Sequence, residues 1–326
     1  MVTDTIPLER FIAPARQSTG WWRPVLGLAI ILGLWVFGSI VVIAGWVVHR
    51  VDQGDGLDTA MSGLEDLANG GSAGKVIVML LTFVGVWIGC WMATEIVHRQ
   101  RFMTLLEATG RILSRAFLRG VVLALGFSLL TTCGALLLIE VPVLSVDPVN
   151  WAMLLVPLAV LVFVQATAEE LVFRGYLLQQ LAIRFRSAVI WGVVPSLLFG
   201  ALHYRENLLV ETSLGTSFEL AGFTLSIAGL YYVAITFLTG LVFVALVWRT
   251  GSLWMAAGLH VGINTFSLCG IGAEGLLSGT QLFLYSHDSI GYLLELDLIS
   301  VSILLVLVLG PVGQKICPSD HRAAPA

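Results

Sequence analysis

At 326 residues, with 57% hydrophobic and only 12% charged side chains and a mean hydropathy of +0.92, the chain is too apolar for a soluble globule. Its net charge of −4 offers no argument for a nucleic-acid partner. The composition instead predicts an all-α, polytopic transmembrane bundle whose first partner is the lipid bilayer.

Apolar runs long enough to cross a hydrocarbon core of about 30 Å follow one another near residues 24–49, 76–97, 117–139, 151–178, 187–203, 223–248, 252–270 and 290–314, which predicts about eight helices. The first run is too long for an ordinary signal peptide and follows a polar head bearing Arg10, Arg16 and Arg23, so it is read as a retained anchor. Between the second and third runs, Phe102 to Arg119 spaces Leu105, Leu106, Ile112 and Leu113 among arginines, which predicts an amphipathic surface helix. By texture the chain divides into an N-terminal three-helix region with this linker (1–145), a core that carries the intramembrane polar groups (150–270), and an outer loop, last helix and tail (271–326).

The connections set an orientation. Arg99, Arg101, Arg111, Arg115, Arg184, Arg186, Arg249, Lys315 and Arg322 fall on one side with the N-terminal arginines. The alternate loops carry Asp52, Asp55, Asp58, Glu65, Asp66, Asp147, Glu206, Glu211, Glu219, Glu274 and Asp288, with Arg50, Lys75 and Arg205 as the basic residues there. The positive-inside rule then puts both termini in the cytoplasm, and the expected location is a bacterial inner membrane. Cys90, Cys133, Cys269 and Cys317 form no C-x-x-C pair, so neither a disulfide scaffold nor a thiolate zinc site is indicated.

The fourth run is interrupted by Glu169, Glu170 and Arg174. An ionised side chain at bilayer depth costs at least about 2.5–3.5 kcal/mol, so such groups should face protein or a wet cavity. On a helix Glu170 and Arg174 stand one turn apart in the favoured order while Glu169 points about 100° away. Glu170 is therefore read as paired and Glu169 as a candidate base; a buried ion network that serves packing alone is the other reading. The next run ends in Phe199-Gly200-Ala201-Leu202-His203. If the chain turns near Arg186, His203 and Glu169 lie equally far from the turn and reach similar depth. The seventh run contains His260 and Asn264, whose i, i+4 spacing puts imidazole and carboxamide on one face, as joint donors or as interhelical glue.

Together, Glu-Glu-x-x-x-Arg at Glu169, Glu170 and Arg174, Phe-x-x-x-His at Phe199 and His203, and His-x-x-x-Asn at His260 and Asn264 resemble, in order, the three motifs of the CAAX protease and bacteriocin-processing (CPBP, or Abi) intramembrane proteases. The resemblance covers roughly residues 150–270. It implies a peptidase in which Glu169 with His203 activates a water against a peptide carbonyl, His260 and Asn264 stabilise the oxyanion, and Glu170, Arg174 and Phe199 support. It also implies a membrane-associated or lipidated protein or peptide as substrate.

His-Glu-x-x-His, a Gly-x-Ser-x-Gly elbow and an intramembrane aspartate pair are all missing from the sequence. No cofactor is favoured, although Glu169, His203 and His260 could serve as Zn²⁺ ligands. A non-catalytic membrane protein of the same fold, acting in immunity or as a scaffold, or a small-solute transporter is the alternative; the inverted repeats of a transporter are not found. Counted from the arginine-marked ends, His260 sits shallower than His203 by roughly 9 Å. Letting Leu178 to Arg186 run along the membrane surface would relieve that mismatch and place the site in the cytoplasmic half.

Overall fold

A computed structural model describes residues 7–316 apart from 65, 66, 68, 69, 207 and 276. Glu65, Asp66, Cys317 and Arg322 lie outside the described residues. Each apolar run forms a helix: α1 (Trp22–Asp52), α2 (Ala73–Val97), α3 (Ser114–Leu138), α4 (Pro148–Ala182), α5 (Val189–Ala201), α6 (Ile227–Thr250), α7 (Trp254–Thr265) and α8 (His287–Leu309). Six of them, all but α5 and α7, are long and apolar enough to cross a membrane, so the protein is a polytopic helical membrane bundle. With 12 residues, α7 rises only about 18 Å. Gly251, whose left-handed φ of 67° ends α6, bounds it at one end, and a π-turn over Phe266–Gly270 continues it at the other. In α5 a π-turn, Val189–Val193, precedes Pro195 and accommodates the N–H that proline lacks.

Two local expectations are corrected. Phe102–Leu105 is a single 3-10 turn, and no amphipathic helix reaches Arg119. Glu107 accepts hydrogen bonds from the backbone N–H groups of Thr109 and Arg111, and Gly110 adopts φ 74°, so side chain and glycine divert the backbone before α3 begins at Ser114. Leu178 to Ala182 does not leave the bundle either: it continues α4, and Leu178, Gln179 and Gln180 are buried. The fifth helix does start late, at Val189.

Strands mark one end of the bundle. β1 (Val143–Leu144) pairs antiparallel with β5 (Phe283–Tyr285), which pairs parallel with β4 (Ile271–Ala273); β2 (Ser217–Leu220) and β3 (Phe223–Ser226) form a separate hairpin. The β1–β5 pairing puts the starts of α4 and α8 at the same end. Arginines gather at the other: Arg184 donates to the carbonyls of Thr19 and Gly20, and Arg249 to those of Leu309 and Gly310.

The core is built on close approach of α7 to α3. A Cβ at Gly258 would lie 2.0 Å from the Phe117 carbonyl oxygen, and one at Gly120 would lie 2.2 Å from that of Met255. Small residues on facing helices let the backbones touch, which is how helices associate where no hydrophobic effect separates them. This contact holds α7, with His260 and Asn264, in the middle of the bundle against α4.

Candidate active site

Glu169 and Glu170 end the regular α-helical part of α4, and Leu171–Leu177 continues it as a π-segment. Widened turns of this kind re-aim side chains and are frequent at functional sites. Arg174 projects from that segment into the core and is fully buried, as is Glu170. Its Nη1 donates to Glu170 Oε1 at 2.9 Å. The guanidinium also lies over the rings of Phe199, at 4.5 Å, Phe243, at 5.1 Å, and Phe173, at 5.6 Å, so one carboxylate and three aromatic faces surround it, while Nε and Nη2 have no hydrogen-bond partner among the described residues. Room for it comes from Gly240, where a Cβ would sit 2.7 Å from Arg174 Nη2.

The same oxygen of Glu170 accepts from His260 Nδ1 at 2.9 Å. Glu170 thus joins the first motif to the third, and a carboxylate donor-acceptor pair of this kind fixes both ring orientation and tautomer. Phe243 stacks on the imidazole, with centroids 4.9 Å apart and planes at 24°. Held in this way, His260 presents Nε2 3.5 Å from Glu169 Oε2. Glu169 Oε2 has no hydrogen-bond partner among the described residues.

Phe199 bridges the second motif to the others. Its ring meets those of His203 at 4.7 Å and His260 at 6.0 Å. Its carbonyl oxygen accepts from His203 Nδ1 at 2.7 Å, so in the neutral ring Nε2 is left as the acceptor. Asn264 donates through Nδ2 to Gln165 Oε1 at 2.9 Å and keeps a second N–H. Gln165 was not among the residues singled out from the sequence, yet it stands one helical turn before Glu169, an i, i+4 relation that was legible.

Gln165, Glu169, Phe199, His203, His260 and Asn264 all line one cavity of about 680 Å³ that extends between α3, α6 and α8. Every residue of the three motifs is thereby brought to one place: four chemical groups face the cavity, and Glu170 and Arg174 stand behind them. Glu169, His203 and His260 do not converge as a metal-binding set, and no group of three such side chains does so among the described residues. The arrangement offers a carboxylate oxygen without a hydrogen-bond partner among the described residues, an imidazole acceptor on His203 and one free amide N–H on Asn264 around a common space, which are the parts of a general-base hydrolase.

Residues 150–266 match the family model described as type II CAAX prenyl endopeptidase Rce1-like. The match contains Gln165 through Asn264, and it names the group of proteases that the three motifs resemble; α1 to α3 and α8 lie outside it. The chain is also 26% identical over 216 residues to the uncharacterized protein YyaK of Bacillus subtilis, a similarity that covers 61% of this chain and 66% of that protein.

Proposed function

We propose that the protein is an intramembrane endopeptidase that cuts a peptide bond in a membrane-associated or lipidated protein or peptide. The observation that carries this reading is the contrast within one cluster: Glu170 is clamped between Arg174 and His260, while Glu169 lines the cavity and its Oε2 has no hydrogen-bond partner among the described residues. A water bonded to Glu169 loses its proton to the carboxylate as its oxygen attacks the substrate carbonyl. His203 Nε2 accepts a second hydrogen bond from that water and aligns it. Asn264, positioned by Gln165, turns its remaining N–H toward the developing oxyanion. Glu169 then delivers the proton to the departing amine. No step of this reading is routed through a metal, and the chelation test in the Discussion checks it.

Support for the reading also comes from the protease family whose model matches residues 150–266. The test compares membrane proteomes and released peptides from cells carrying the intact protein and Glu169→Gln. Products that depend on Glu169 support an endopeptidase; identical peptide sets with both proteins favour a scaffold or immunity role. We place both termini on the cytoplasmic face of a bacterial inner membrane, because the arginine-bearing loops share one end of the bundle. A reporter fused after Ala326 should be active in the cytoplasm, and activity only outside it would reverse the orientation.

A further inference from the structure

The catalytic cavity contains a second carboxylate that the chemistry above does not use. Asp297, about three turns into α8, lines the same space as Glu169 and His203 but lies outside the matched protease segment. It is exposed, and it lines the cavity. No hydrogen bond or ion pair holds it among the described residues. The basic residue of the cavity, Arg205, lies instead over the ring of Tyr232, 5.3 Å from the centroid. Nearby hydroxyls are committed as well: Thr236 and Thr239 donate to the carbonyls of Tyr232 and Ile235 on their own helix. A further polar group waits in the same wall, for Tyr285 is buried and its hydroxyl has no partner among the described residues.

An aspartate within an apolar span and without a basic partner is costly and is retained where something cationic meets it. A bound metal ion would need more oxygen or nitrogen ligands than this wall provides. A proton would neutralise the group but would not require a cavity. The space is continuous with the catalytic groups and large enough for several residues of an extended chain. We infer that Asp297 is a specificity-determining residue that receives the basic side chain of a lysine or arginine in the substrate, several positions from the bond that is cut. The depths of the two carboxylates support that separation. Because α4 and α8 begin at the same end, the mid-helix position of Asp297 in α8 and the later position of Glu169, farther from the start of the longer α4, place them at different levels of the bundle.

This inference rests on the peptidase reading for its substrate but not for its test. Purified Glu169→Gln protein in lipid nanodiscs is titrated with dansyl-labelled leucine–alanine peptides in which one lysine is moved a position at a time, and with the same peptides carrying norleucine instead. At one or two positions lysine should bind about tenfold more tightly than norleucine, as a charge-assisted hydrogen bond allows. That preference should vanish in Asp297→Asn, a substitution that keeps the shape of the side chain. Equal affinity for lysine and norleucine peptides at every position, or a lysine preference that survives in Asp297→Asn, overturns the proposal. Cleavage of the same peptides by the protein with Glu169 intact is scored separately: a failure to cut with the binding preference preserved counts against the peptidase and not against the role of Asp297.

Discussion

Glu169 and Glu170 are neighbours in the chain and opposites in the fold. Glu170 is wholly buried and shares one oxygen between Arg174 and His260, so its surroundings are those of a structural ion pair. Glu169, one residue earlier and rotated by about 100° on the helix, looks into a cavity and meets only the distant edge of the same imidazole. The lesson is that a single helical step separates a charge that organises a site from a charge that can act in it. The arrangement also makes the two roles dependent, because the clamp on Glu170 is what holds His260 beside Glu169.

Four experiments sharpen or break that contrast. The largest effect is expected at the open carboxylate. Glu169→Gln should lower turnover by about 10²–10⁴-fold, the contribution of a positioned general base, while the protein accumulates normally in the membrane. Normal cleavage by this variant would show that the two glutamates have been assigned the wrong way round. Next comes the clamp: Arg174→Ala leaves Glu170 charged and buried without its cation, which should cost about 3–5 kcal/mol and appear as a large drop in thermal midpoint in detergent. An unchanged midpoint would mean that Glu170 is not held as a structural pair.

The donors should matter less than the base. Asn264→Ala should retain weak activity, about 10²–10³-fold below the intact protein, as expected for one lost oxyanion donor. Gln165→Ala should lose less, since it only orients Asn264, and Gln165→Glu, which keeps the accepting oxygen, should recover part of the loss. A complete loss with Asn264→Ala, equal to that with Glu169→Gln, would point to a role in the first proton transfer instead. The smallest effect is expected from chelation. The purified enzyme should contain no stoichiometric metal and keep its activity in a chelator that strips zinc sites. One zinc per chain, with activity lost on its removal and restored by its return, would replace the general base by a metal-activated water.

How much of this was legible in the sequence differs from residue to residue. The Glu170–Arg174 pair followed from i, i+4 geometry alone and is present at 2.9 Å. Counting residues to a turn suggested that Glu169 and His203 could be near each other, and both line one cavity. The partnership of His260 with Glu170 did not follow, because those residues are 90 positions apart and nothing local joins them. Phe243 and Gly240 were equally silent: an aromatic and a glycine in an apolar run look like any others until a guanidinium is packed against them. The linker after Arg101 misled for the opposite reason, since its apolar spacing imitates a helix while Glu107 and Gly110 supply a competing local fold.

The sequence by itself determined the solvent, the helical class and the order of the chemical groups, since hydropathy and the 3.6-residue repeat act within each segment and need no neighbour. Only the tertiary structure decided that His260 completes the clamp on Glu170, that the regular α-helical part of α7 has only 12 residues, and that an aspartate from α8 shares the cavity. These depend on how closely α3 and α7 approach across Gly120 and Gly258 and on what α4, α6 and α8 leave unfilled between them. Such gaps arise from packing between distant segments, where each helix constrains the others and no local pattern records the result.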